Sequence, residues 1–446
     1  MSHCHFCTLL CELPSNLIES SLVESSTHGI PEQWECELRE VRLAQQDRML
    51  QRTDARLPRV DGEIVSIAQA LKAAKEVLRL KEQPVTLITG DIHSVETSRA
   101  VIDFAAKMGA ILDPCGSDAA FAQILAMQRH GGMISTFSEV RFRSDCILLI
   151  GDDSVLRSMP RLPSVLAPGS DMPNKRLVLM GNWSQSSIQM FQSLRYDVQV
   201  VHMDYRNFPR AIRDWSQLSS ELQTQTESLA SRWIVSAEYL ALVWSPTNLM
   251  TLANDLWVEQ VQEWIADQNS SRRVVGLPLG GSYQTFQQVA TWITGFPGRM
   301  RLSYSEWGDL QADYRPHRFR AQAIQDAKPT PIVVRVDDLT LTQDHQRSQE
   351  YQNQDIHEVE NDFIWIAPVL PVDLDQPHPS GRGKFPKVFL PCRQPFHECM
   401  SQIFRADSVF SVGVGSAIAE EKNREPVLEL MNVSEILECI AAGGRA

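Results

Sequence analysis

The feature that most constrains this chain is a series of short, almost wholly apolar runs. Each stops at a turn-forming residue, and helical patterns separate them. VTLITG (85–90), AILD (110–113), CILLIG (146–151), RLVLMG (176–181) and VQVVHMD (198–204) open the series. A strand with one wet face alternates apolar and polar residues, so a strand apolar throughout is buried on both faces. The segments between fit helices. Ile67, Leu71, Ala74 and Leu78 fall on one helical face, a helix is expected over 94–108, and Asp118 can cap another that runs to about Arg129. The expected fold class is therefore α/β, multidomain, with doubly wound parallel sheets.

Further along, 214–268 is rich in Leu, Ala, Gln and Trp and reads as helical. Strand-like runs then resume at RRVVGLPLG (272–280), PIVVRV (331–336), FIWIAPVL (363–370) and KVFLPC (387–392), with a helix expected around 283–294. DLDQPHPSGRGKF (373–385) is a loop by its Pro and Gly content. The expected division is a cysteine-cluster unit (1–60), a first α/β domain (61–210), a second α/β region with a helical insertion (211–370), and a C-terminal segment packing back on the core (371–446).

Charge narrows the function. With 42 Lys and Arg against 55 Asp and Glu, the net charge is −13. Nucleic acids and anionic membranes both call for a basic face, so neither is the expected partner. No apolar run reaches the ~18 residues of a membrane span. The opening MSHCHFC shows no leader pattern, so a cytoplasmic location is expected.

In that compartment the cysteines matter. Nine are present, four of them in the first 36 residues. Cys4, Cys7 and Cys11 form a compact loop, and Cys36 follows at a distance. Four converging thiolates suit a 4Fe–4S cluster. A zinc site using His3 or His5, or a set of thiols that binds nothing, are the alternatives. No G-x-S-x-G elbow, P-loop or HExxH helix is present.

These cysteines carry a resemblance. CHFCTLLCELPSN resembles the opening of the B subunit of formylmethanofuran dehydrogenase. PVTLITGDIHSVETSRAVIDFAAKMGAILD resembles that family's first strand–helix–strand unit, with Glu96 at the place of its usual Glu. LAMQ (125–128), GLPLGGSYQTFQQVATWITGFPGRM (276–300) and FLPCRQPFHECMSQIFRADSVF are similar to later family segments, in the same order. The resemblance implies a fold like the molybdenum and tungsten bis-pterin oxidoreductases. It also implies an N-terminal 4Fe–4S cluster on Cys4, Cys7, Cys11 and Cys36. The family's reaction reversibly reduces carbon dioxide to formate.

The sequence departs from the family where redox chemistry needs it most. A metal-ligating Cys in a CHG-like motif should lie just before LAMQ. Counting places it at Ala119 or Ala120, and alanine ligates nothing. Cys115 is nearby but four or five positions early. It is either a shifted ligand or an ordinary packed thiol. Where relatives carry a G-x-N-P turn near the pterin phosphates, this chain has Gly151-Asp152-Asp153. Two carboxylates there would repel phosphate; as helix caps they are unremarkable. Cys36 is followed by Glu37 where relatives have a base. Gly280, Gly281 and Ser282 can offer backbone N–H groups to an anion, or simply form a tight turn. His130 reads as a loop residue beyond the helix.

Three readings result. In the first, the chain is a B-like subunit that scaffolds the hydrolase (A) and formyltransferase (C and D) subunits of a formyltransferase/hydrolase complex. That complex would work in tetrahydromethanopterin- and methylofuran-linked one-carbon metabolism, and this chain would lack molybdopterin or tungstopterin. In the second, it is an active molybdenum- or tungsten-pterin dehydrogenase with a rearranged ligand. In the third, it is an unrelated α/β enzyme with an N-terminal zinc site. The missing Cys favours the first.

Overall fold

The structure is a computed structural model that describes residues 2–3, 12–13, 36, 56–79, 85–113, 118–169, 172–204, 207–215, 225–245, 254–280, 283–325, 331–337, 363–367, 387–392, 401–404, 411–414 and 431–442. It contains two large sheets and two small strand pairs, β1 (Ser2–His3) with β2 (Glu12–Leu13) and β17 (Ser401–Phe404) with β18 (Ser411–Val414).

The apolar runs become the parallel strands they suggested. β7 (Cys146–Asp152), β8 (Lys175–Asn182), β9 (Tyr196–Val201), β10 (Tyr239–Trp244) and β11 (Arg273–Pro278) form a parallel sheet in the order β11-β10-β7-β8-β9. Side chains alternate between faces along a strand, and both faces here are dry. Ile147 and Leu149 join one core with Leu177, Val243 and Leu277. Cys146, Leu148 and Ile150 join the other with Val178, Trp244 and Ile265.

The larger sheet has nine strands. Its parallel centre is β6 (Ile111–Leu112), β5 (Thr86–Thr89), β14 (Ile332–Val336), β15 (Phe363–Ala367) and β16 (Val388–Pro391). Antiparallel strands extend both edges: β12 (Met300–Tyr304) and β13 (Leu310–Tyr314) beyond β6, and β3 (Arg59–Val60) and β4 (Glu63–Ile64) beyond β16.

The helices follow local signals. α1 (Ile67–Leu78) starts in a capping box between Ser66 and Gln69, and buries Ala70, Ala74 and Val77. α2 (Val95–Met108) starts at the Ser94 cap and ends at Gly109, whose φ of 67° closes the last turn. α3 (Asp118–His130) and α4 (Phe137–Arg143) precede β7. α5 (Asp153–Ser158) and α6 (Leu162–Leu166) join β7 to β8, and α7 (Gln185–Ser193) joins β8 to β9. α8 (Phe208–Trp215), α9 (Gln225–Ser236) and α10 (Asn254–Gln268) flank β10. α11 (Tyr283–Thr294), α12 (Ala321–Gln325) and α13 (Val433–Ala441) complete the set. α13 buries Val433, Ile436, Leu437 and Ile440 in the core beneath the nine-stranded sheet.

Three expectations are corrected. The stretch 214–268 is not continuously helical, because YLALVW forms the interior strand β10. Leu and Ala favour helices in isolation, but burial on both faces beside β7 and β11 outweighs that preference. The boundary expected near 210 falls within the five-stranded sheet, which runs from β7 to β11. The strands before 113 pair instead with strands after 299, since hydrogen bonding closes sheets without regard to chain order. His130 is the last residue of α3 rather than a loop residue.

Candidate strand-end site

Open parallel sheets bind ligands beyond the carboxyl ends of their strands, where the winding direction reverses. Numbered along the chain, the five-stranded sheet has order 3-2-1-4-5, which places its reversal between β7 and β10. The parallel centre of the larger sheet has order 2-1-3-4-5, with its reversal between β5 and β14.

At β7 the turn Gly151-Asp152-Asp153 is satisfied internally. Asp152 is the cap of α5, its carboxylate accepting from the Ser154 N–H at 2.8 Å. The Asp153 carboxylate accepts from the Ser184 N–H at 3.1 Å and from the Ser187 hydroxyl at 2.6 Å. Burial pushes the Asp153 pKa up, but these hydrogen bonds outweigh it, and the group stays below the usual carboxylate range. The capping role weighed for these carboxylates is the one Asp152 has, while Asp153 ties the turn to the start of α7. Gly181 on β8 has φ +125°, and a Cβ there would lie 1.9 Å from the Gly151 carbonyl oxygen.

The β5 end is closed in a similar way. The Asp91 N–H donates to Asp337 Oδ1 at 2.8 Å. Asp337 Oδ2 accepts from Arg335 Nε at 2.6 Å and Trp365 Nε1 at 2.7 Å. His93 Nε2 lies 3.5 Å from Asp91 Oδ2. A Cβ on Gly90 (φ +138°) would lie 1.9 Å from the Val336 carbonyl oxygen, so the two strands approach too closely for any other residue.

Described residues on either side of the expected metal-ligand position are tied to distant parts of the chain. Ala119 and Ala120 lie in the first turn of α3, where only the backbone is described, and Cys115 lies outside the described residues. Asp113, which follows β6, pairs with Arg299 Nε at 3.3 Å and accepts from the Ala321 N–H at 2.6 Å. Both side chains of that pair are about 95% buried, at 5% and 6% exposure. The Arg299 guanidinium stands 4.3 Å from the centroid of Phe121, one turn into α3. Next along the helix, Gln123 Oε1 accepts from Trp244 Nε1 at 3.2 Å, which joins α3 to the end of β10. The helix end is held by Arg129, which pairs with Asp255 and Glu259 on α10.

The other expected site residues are only partly placed. Cys4, Cys7, Cys11, Gly281 and Ser282 lie outside the described residues, while Cys36 is half-buried. Gly280 is buried at the end of β11, and a Cβ there would collide with the Gln284 side chain. Among the described residues no group of three or more His, Cys, Asp or Glu can hold a metal. No helix among them is long and apolar enough to cross a membrane.

Sequence reasoning missed Asp91, Asp113, Arg299, Asp337, Gln123 and Trp244. One signal was available: β5, β6, β7 and β14 all run into an Asp within two residues of the strand end. The implied pterin dinucleotide carries phosphates, and these ends offer carboxylates already engaged with the chain's own donors.

No family model matches the chain. It is 25% identical over 257 residues to the B subunit of the formyltransferase/hydrolase complex Fhc of Methylorubrum extorquens, covering 56% of this chain and 68% of that protein. A chain of the crystal structure of the formyltransferase/hydrolase complex FhcABCD from Methylorubrum extorquens, in complex with methylofuran, has the same fold. It superposes with a TM-score of 0.63 at 18% identity, over 86% of this chain and 98% of that chain. The resemblance read from the sequence is thereby borne out: the chain is similar to the B subunit of the formyltransferase/hydrolase complex.

Proposed function

We propose that this chain is the B-like subunit of a formyltransferase/hydrolase complex in tetrahydromethanopterin- and methylofuran-linked one-carbon metabolism. In this reading it holds hydrolase and formyltransferase subunits together and has no redox centre of its own. The finer architecture, a bis-pterin oxidoreductase frame used without its cofactor, belongs to the same proposal. Support comes from two doubly wound sheets with the strand orders 3-2-1-4-5 and 2-1-3-4-5. The observation that carries the proposal is the buried Asp113–Arg299–Phe121 cluster, whose Asp113 and Phe121 bracket in sequence the stretch where the resemblance implies a metal ligand. Breaking such a pair to admit a cofactor would leave a charge buried and uncompensated.

Whether Cys4, Cys7, Cys11 and Cys36 carry a 4Fe–4S cluster is a separate part of the proposal, because a cluster can persist as a structural staple. Metal and pterin analysis of the intact purified complex tests both parts. Expected are no molybdenum, no tungsten and no pterin released on oxidation. Iron near four per chain that disappears in a Cys4→Ser/Cys7→Ser variant would assign the cluster. Molybdenum or tungsten near one per chain, together with pterin, would sink the scaffold reading.

A further inference from the structure

The turn that joins β12 to β13, residues 305–309, is rigid and presents a bare tryptophan. Ser305 organises it. The Ser305 N–H donates to the Asp309 carbonyl at 2.8 Å, and the Gly308 N–H donates to the Ser305 carbonyl at 3.0 Å. The Ser305 hydroxyl oxygen accepts from the Trp307 N–H at 3.2 Å and the Asp309 N–H at 3.0 Å. Gly308 takes φ +87°, which completes the reversal. Behind the turn, β12 and β13 are paired over five residues each, and β13 is the outermost strand of the nine-stranded sheet.

Trp307 sits at the tip and is 90% exposed, the highest exposure of any large apolar side chain among the described residues. Its ring contacts no other aromatic ring there, and it shields none of the core clusters. Folding of this chain gains little from it. Tryptophan is the residue most enriched at the energetic centres of protein interfaces, and a pre-ordered anchor loses little entropy on docking. Its neighbours Glu306 and Asp309 are exposed and pair with no cation among the described residues. The tip is therefore an apolar anchor inside a negative rim.

We propose that the 305–309 turn is a docking finger for another subunit of the same complex. It would insert Trp307 into an apolar pocket edged by Lys or Arg. The inference rests on the scaffold reading above and adds the contact that carries it. The two can fail separately.

The test uses the full chain and the separately purified hydrolase and formyltransferase subunits, with affinities measured by titration and assembly followed by size-exclusion chromatography. Trp307→Ala should keep the wild-type circular dichroism and melting temperature yet bind about tenfold more weakly or worse. Trp307→Phe should recover most of the affinity, and Glu306→Lys/Asp309→Lys should weaken it through the rim. Wild-type affinity for Trp307→Ala would overturn the finger while leaving the scaffold standing. A wild-type chain that binds neither the hydrolase nor the formyltransferase would overturn the scaffold itself. Loss of self-association of the isolated chain, with affinity for the hydrolase and formyltransferase unchanged, would assign the turn to a second copy and also overturn the proposal.

Discussion

The five-stranded sheet is assembled from one stretch of chain, β7 to β11. The nine-stranded sheet closes over distant segments; the Asp91–Asp337 hydrogen bond alone spans 246 positions. Despite these different origins the strand ends are finished alike. Each sheet places carboxylates at its point of reversal, answers them with its own N–H, hydroxyl or guanidinium donors, and uses a glycine to let two strand ends touch. Open parallel sheets in general receive ligands beyond such ends. The same solution thus arises twice, in sheets assembled in different ways.

The sharpest way to break this comparison is Arg299→Met. The variant strands Asp113 without its cation in a site about 95% buried, and should cost about 3–5 kcal/mol in urea unfolding. The damage should localise. Amide exchange is expected to accelerate in β5, β6 and β12 more than in β7 and β8. Equal acceleration in both sheets would mean that they do not unfold as separable units.

Next come the matched glycines. Gly90→Ala and Gly181→Ala each bring a Cβ to 1.9 Å from a carbonyl oxygen, at φ values that an L-residue avoids. Each should cost about 1–3 kcal/mol. If one of them is tolerated, the strand ends of that sheet are not closed and the parallel between the two sheets fails.

The smallest effect lies at the opposite edge of the five-stranded sheet. The buried Lys175 ammonium donates to the Val140 and Arg141 carbonyls, both at 2.7 Å, and to the Ser144 hydroxyl at 3.3 Å. Burial first, then the nearby Arg141, lowers its pKa from 10.5 to about 8. Above about pH 8 the folded state releases this proton while the unfolded chain still holds it. The unfolded state then binds more protons, so stability rises with pH in that window. Burial pushes the Cys146 thiol up to about 12, which gives the opposite slope above pH 9. The comparison is therefore best made between about pH 7.5 and 8.5. There Lys175→Met should remove a rise of under about 1 kcal/mol. An unchanged slope would show that the amine does not titrate in that range.

Much of the fold was legible because its signals are local. CILLIG and RLVLMG could only be strands with two dry faces, Ser94 and Ser66 are caps by residue type, and Gly109 stops its helix by its backbone freedom. Asp152 was readable as a cap for the same reason. β10 was not, because Leu and Ala serve a helix as well as a buried strand, and only the flanks of β7 and β11 decide between them. The Asp113–Arg299 pair, 186 positions apart, leaves no local trace at all.

By itself the sequence determined the class of fold, the acidic character, the alanines at 119 and 120, and the resemblance of the chain. These depend on side-chain type and short-range period, which each segment carries with it. Only the tertiary structure decided which strands share a sheet, and that the strand-end carboxylates meet donors from far along the chain. Only there did Trp307 prove to be left outside every core. Those outcomes depend on which distant groups lose their water together, and no single segment encodes that.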